Sequence, residues 1–328
     1  MKALRTRAVL FISSLVIAVW GVTACTAAST PAQFSPTEAR PVPNVLTAET
    51  FLADVAQNVT GDRLAVTSLL PVGVDPHSFE PTPGDVRKVA ASDVLIVNGA
   101  GFEAFLARLL DNAGSSPQFS QGGGQRQVIE AAKGLTVRAP REGEVAQAGA
   151  PREDDPHFWL DPNHVVKYVE NIRDGLSQAD PGGAAIYARN AETYVARLKE
   201  LDRWIADQVQ QIPPERRLLV TNHESLGYFA DRYGFRIVGT IVPSVSTDAS
   251  PSAQQVAQLI DHIKQTGAPA IFLETGANSQ MARQIAQDTG VRVVADLYTH
   301  STTDAEGPAP TYLDMMKYDT RAIVDALK

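Results

Sequence analysis

The chain has 328 residues, 44% of them hydrophobic and 20% charged, an ordinary globular composition with room for two domains that each bury a core unaided. A single Cys excludes internal disulfides and thiolate-rich metal clusters. With 29 Lys plus Arg against 37 Asp plus Glu, the net charge of −8 has the wrong sign for a nucleic-acid binder. At the start of the chain, Lys2, Arg5 and Arg7 precede an apolar run from Ala8 to Trp20, too short to span a bilayer comfortably but of the length seen in export signals.

Residues 1–24 therefore read as a signal peptide. Its end, Val22-Thr23-Ala24-Cys25, resembles a bacterial lipobox, which makes Cys25 the expected lipidated N-terminus of the exported chain. Residues 25–43, rich in Pro, Ser, Thr and Ala, are expected to be a flexible, lipid-anchored tether. Beyond them no segment offers 18 uninterrupted apolar residues.

From residue 44 onward, β-branched runs alternate with helical patterns, the signature of parallel sheets covered by helices and hence of an α/β fold. Strands are expected near Val45–Ala48, Leu64–Leu70, Asp93–Asn98 and Gln127–Ile129, with helices near Thr50–Val59, Asp85–Ala90 and Phe102–Asn112. The rhythm repeats with strands near Arg217–Thr221, Arg236–Val242, Ala270–Glu274 and Arg292–Ala295, and helices near Leu226–Tyr233, Ser252–Thr266, Gln280–Thr289 and Tyr312–Leu327. Two similar lobes follow, 44–180 and 213–328. Between them, Gly183–Gln211 carries Tyr187, Tyr194, Leu198, Leu201 and Ile205 along one helical stripe bounded by Pro181 and Pro213-Pro214, so residues 181–212 are expected to be a stiff linking helix. Gly114–Gln125 and the acidic Ala139–Asp155 read as mobile loops.

Six histidines are few enough to weigh one by one. His77 and His157 each close an Asp-Pro-His triplet in a loop, and His223 follows the strand RLLVT. Ligands of open α/β sheets bind beyond the carboxyl ends of strands, where these residues fall. Each alone reads more readily as a loop residue bonded to backbone, and the case for a ligand rests on the set. Together with Asp296, placed at the end of VRVVA, they form a nitrogen/oxygen set suited to zinc. Glu274 and Glu224 are candidates to orient a ligating imidazole, Glu274 alternatively capping nearby amides. His164 and His262 lie in helical patterns and read as packing or surface residues, and His300, four residues beyond Asp296, is a weaker ligand candidate within reach of the cleft mouth.

The segments GVDPHSFEPTPGDVRKVAASDVLIVNGAGFE, DPHFWLDP, TNHESLGYFADRYGF, PSVSTDASPSAQQ, IFLETGAN and MMKYDT resemble those of the metal-binding lipoproteins of bacterial ABC importers, the zinc and manganese solute-binding family. The resemblance covers residues 44–328. It implies two (β/α)4 lobes joined by one rigid helix, with the metal in the interlobe cleft. Its ligand positions fall on His77, His157, His223 and Asp296. In manganese-type relatives the third position is usually Glu, so His223 shifts the expected cargo towards Zn2+, with Mn2+ as the alternative; the His-rich loop common in zinc-type members is absent. The implied role is a monomeric receptor outside the cytoplasmic membrane, or in the periplasm, that delivers its ion to an ABC permease. No HExxH, GxSxG or P-loop supports a secreted zinc hydrolase. A two-lobed receptor for iron chelates or corrinoids would need a wide cleft lined by aromatics or Arg. Because ligands are expected from both lobes while the linker is stiff, binding should cause modest rearrangement.

Overall fold

The computed structural model describes residues 42–106, 109–110, 126–138 and 154–328. The expected leader, Cys25, most of the tether, Gly114–Gln125, residues 139–153 and part of the helix expected near Phe102–Asn112 lie outside the described residues.

Two four-stranded parallel sheets form. β1 (Val45–Thr47), β2 (Val66–Ser68), β3 (Val94–Val97) and β4 (Gln127–Glu130) pair in the order β2-β1-β3-β4. β5 (Leu218–Thr221), β6 (Arg236–Thr240), β7 (Ala270–Glu274) and β8 (Arg292–Leu297) repeat that order as β6-β5-β7-β8. The inner strands β1, β3, β5 and β7 are buried along their whole length, as parallel strands covered on both faces must be. The outer strands are partly exposed and correspondingly more polar. The second expected strand shrinks to three residues, with Leu69 and Leu70 buried just beyond it.

Helices cover both faces: α1 (Thr50–Thr60), α2 (Pro83–Ala90), α3 (Pro162–Ala179), α4 (Ala184–Val209), α5 (Gly227–Tyr233), α6 (Ala253–Thr266), α7 (Ser279–Thr289) and α8 (Tyr312–Leu327). Their starts are chemically marked. Thr82 and Ser252 build capping boxes for α2 and α6, while Asp161 caps α3 ahead of Pro162. Apart from the helical pattern around His164, α3 has no counterpart among the expected elements, although Val165, Tyr168, Val169, Ile172 and Leu176 form its buried stripe. α4, the expected linker, is 26 residues and thus roughly 39 Å long. It buries Tyr187, Ala191, Tyr194, Leu198, Leu201, Ile205 and Val209 against α1, α3 and α8. Its start is held by Asp180, which accepts a two-pronged ion pair from Arg63 (2.7 and 2.8 Å) and the Tyr187 hydroxyl (2.5 Å). Among the described residues no helix is long and apolar enough to cross a membrane.

Alternation along the strands divides the apolar residues among three cores. Leu46, Leu95 and Val97 pack outward beneath Val89 and Leu109, and Val220, Val238 and Ile271 pack outward beneath Leu259 and Ile285. The opposite faces share one continuous core, in which Val45 and Ile96 of the first sheet and Leu219 and Phe272 of the second meet α3, α4 and α8. Residues 42–328 accordingly form one unit with a common apolar spine. Trp159 pins the lobes together, its indole N–H donating to the Thr299 carbonyl (2.7 Å) and its own carbonyl accepting from Tyr312 (2.7 Å).

Candidate metal centre

Both Asp-Pro-His triplets fold in the same way. The Asp75 carboxylate accepts the His77 amide (2.9 Å) and that of Asp155 accepts the His157 amide (3.0 Å), so each aspartate fixes the turn that presents the imidazole two residues on. His223 stands two residues past β5, its carbonyl accepting from the Thr221 hydroxyl (2.7 Å). β5 and β7 flank the point where strand order reverses in the second sheet, and Glu274 is the last residue of β7. His223 and Glu274 therefore meet at a topological switch point, where open α/β sheets bind ligands.

The fourth converging side chain is His300, three residues past β8, and not Asp296. Ring nitrogens of His77, His157, His223 and His300 all lie within 4.8 Å of one another. The His157 Nε2 is 3.4, 3.2 and 3.4 Å from the Nε2 atoms of His77, His223 and His300. Asp296 is exposed, and its φ of 68° places it in the left-handed region, which an Asp tolerates better than most residues. The cause is an irregularity in the β7–β8 ladder: register shifts between Phe272 and Glu274, β8 runs on to Leu297, and Leu297 rather than Asp296 turns into the core. The next segment, Tyr298–His300, then delivers an imidazole to the cleft.

The orientation of these rings follows from their outer nitrogens. One carboxylate, Glu274, meets both His223 Nδ1 (2.5 Å) and His300 Nδ1 (3.2 Å), while Asp155 meets His157 Nδ1 (2.9 Å). Burial opposes ionisation of Glu274, but the adjacent His223 and His300 outweigh it and hold its carboxyl well below the usual carboxylate range. An ionised Glu274 accepts from both Nδ1–H groups and leaves both Nε2 lone pairs bare and aimed inward. Burial pushes the Asp155 carboxyl up to about 7, against the His157 amide and Arg138. Burial, together with repulsion from the other imidazoles, drives His157 far below its ordinary value and His77 down to about 2. His77 and His157 are thus held neutral, and neutral imidazole is the ligating form.

His157 and His223 are wholly buried and His300 nearly so, whereas His77 is half-buried. Phe102 packs edge-on to His77, with ring centroids 5.1 Å apart. Glu224 is not among the converging donors; its amide donates to the Ser244 carbonyl (3.0 Å). His164 packs between Phe158 and Tyr228, and His262 lies in α6. His300 was discernible in the sequence only as another histidine shortly after a strand.

A family model for the periplasmic component A of the zinc-uptake complex, ZnuA, matches residues 45–326. The manganese-binding lipoprotein MntA of Halalkalibacterium halodurans is 36% identical over 283 residues, covering 86% of this chain and 88% of that protein. The iron-binding protein YfeA of Yersinia pestis is 32% identical over 280 residues, 85% of each chain. The periplasmic zinc-binding protein TroA of Treponema pallidum superposes with a TM-score of 0.75 at 27% identity, covering 88% of this chain and 99% of its own.

Proposed function

Because the chain belongs to the ZnuA family, whose members are metal-binding substrate-binding proteins of ABC importers rather than enzymes, we propose that its cargo is Zn2+, held by His77, His157, His223 and His300 and passed to a permease. The observation that carries this reading is the spacing of the donors. Zinc–nitrogen bonds of about 2.0–2.1 Å at tetrahedral angles put neighbouring nitrogens about 3.3–3.4 Å apart. The three Nε2–Nε2 separations from His157 are 3.2–3.4 Å. Four imidazoles fill a tetrahedral shell and leave no open position for a reactive water, which suits carriage and not hydrolysis.

Mn2+ favours carboxylate and water oxygens, and none of the four donors is an oxygen. The specific observation on the other side is that MntA, a relative 36% identical, is named for manganese. Cys25 and the preceding leader support export and anchoring by lipid on the outer face of the cytoplasmic membrane or in the periplasm, with the chain acting as a monomer.

The test is elemental analysis of protein purified without added metal, followed by competition titration of the stripped protein with both ions. One zinc per chain, undisturbed by excess manganese, is the expected result. Displacement of zinc by equimolar manganese would transfer the role to Mn2+.

A further inference from the structure

The four imidazoles are not held alike. Three have an Nδ1 against a carboxylate, whereas the Nδ1 of His77 meets no hydrogen-bond partner among the described residues. His77 is also the most exposed of the four and so stands on the open side of the cluster, over the three buried imidazoles. What fixes its position is the backbone. Its amide donates to Oδ1 of Asp75 (2.9 Å), and the other oxygen, Oδ2, accepts from the Thr247 hydroxyl (2.5 Å).

Thr247 lies between β6 and α6, in the opposite lobe. Asp75 therefore spans the cleft, with one oxygen on a candidate ligand residue and the other on the far side. A second tie runs parallel to it. The Gly73 amide donates to Oγ of Ser301 (2.9 Å), the residue after His300, and Ser301 Oγ also meets the Thr50 hydroxyl (3.1 Å). A crevice lined by Gly73, Asp75, Thr275, Tyr298 and His300 runs along these ties.

Resting on the metal-receptor reading, we propose that Thr247 and Asp75 form a cross-cleft latch that positions His77 and governs how long the ion stays bound. In this arrangement His77 is the last donor to engage and the first to detach. Thr247 is a positioning residue: it touches no ion and acts only through Asp75 and the His77 backbone. A hydroxyl bonded to a carboxylate contributes more than a neutral pair, so its loss should speed detachment on the order of tenfold or more.

The experiment measures the zinc off-rate of the loaded full chain under excess chelator for wild type, Thr247→Val and Thr247→Ser. Association rate and the visible spectrum of the Co2+-substituted protein are recorded alongside. The expected result is an off-rate raised about tenfold or more in Thr247→Val, restored in Thr247→Ser, with the association rate and the tetrahedral Co2+ spectrum unchanged. Wild-type protein that binds zinc while Thr247→Val releases it at the wild-type rate overturns the latch alone. A wild type that takes up no stoichiometric zinc overturns the receptor reading and the latch with it.

Discussion

The two lobes repeat one strand order, yet they hold their halves of the site by different means. In the second lobe a single ionised carboxylate at the end of β7, Glu274, clamps the outer nitrogens of both His223 and His300. In the first lobe each histidine depends on its own Asp-Pro-His turn, and only His157 has a carboxylate at its ring. One half is thus preset by a strand end buried in the core, and the other is carried on loops. A receptor that must both capture and surrender its cargo gains from that division, since rigidity in one half lowers the ordering cost of binding while the looser half offers an exit.

The largest expected effect separates two residues of the same segment. His300→Ala should weaken zinc binding by at least about a hundredfold, since four donors share a binding free energy on the order of 10 kcal/mol or more. Asp296→Ala, altering an exposed side chain, should leave it unchanged in the same isothermal titration. Equal losses in both variants would restore Asp296 as a ligand. Next in size is the comparison of clamps. Glu274→Gln weakens the support of two imidazoles and should cost about 10–100-fold in affinity. Asp155→Asn, at a carboxyl that meets one imidazole rather than two, should cost less, and the reverse order would mean that the first lobe is the preset half.

Much of this architecture is legible in the chain, and the failures have particular causes. The inner strands read clearly because a strand buried on both faces must be continuously apolar, as Val-Leu-Ile-Val and Ala-Ile-Phe-Leu-Glu are. The linking helix reads clearly from its stripe. α3 carries an equally good stripe behind a Pro start, but its sequence neighbourhood is dominated by the loop chemistry of DDPHFWLDP. The sequence points to Asp296, which does not converge with the imidazoles, because the strand-end rule depends on where the strand ends. VRVVA ends at Ala295, whereas the bulged ladder carries β8 two residues farther and reverses which side chains face inward. A register shift against a partner strand is a tertiary property and leaves no local mark. The pairing of Glu274 with two histidines at once is hidden for the same reason, because it needs β5, β7 and β8 side by side.

Each lobe also buries a carboxyl behind its half of the site, and each contributes to the pH response of the metal-free protein. Burial pushes Asp319 in α8 up to about 8 and Glu103, which accepts the Asn98 and Gly99 amides, up to about 7. In both the folded state favours the neutral form, while the unfolded chain ionises above about pH 4. The share of stability that these two carboxyls contribute should therefore be greatest below that value and fall as pH rises towards 7–8, levelling off beyond, whereas His77 and His157, held neutral by burial, contribute stability that is lost as pH falls below about 6.5. Asp319→Asn should flatten its share of that slope, a change on the order of a few kcal/mol across the window. Denaturant melts at pH 5 and pH 8 check this, and parallel slopes in wild type and variant would refute it. The smallest expected effect concerns shape. Since the two sheets share a core with α3, α4 and α8, wide lobe closure would shear close-packed side chains. Small-angle scattering of apo and zinc-loaded protein should give nearly the same radius of gyration, and a large compaction would show that the spine bends.

X-ray absorption at the zinc edge of the loaded protein bears most directly on the donor set. Four imidazole nitrogens at about 2.0 Å, with no oxygen neighbour, are expected. A shell containing carboxylate or water oxygen, or fewer than four imidazoles, would contradict the assignment of His77, His157, His223 and His300 as the complete cradle of the ion.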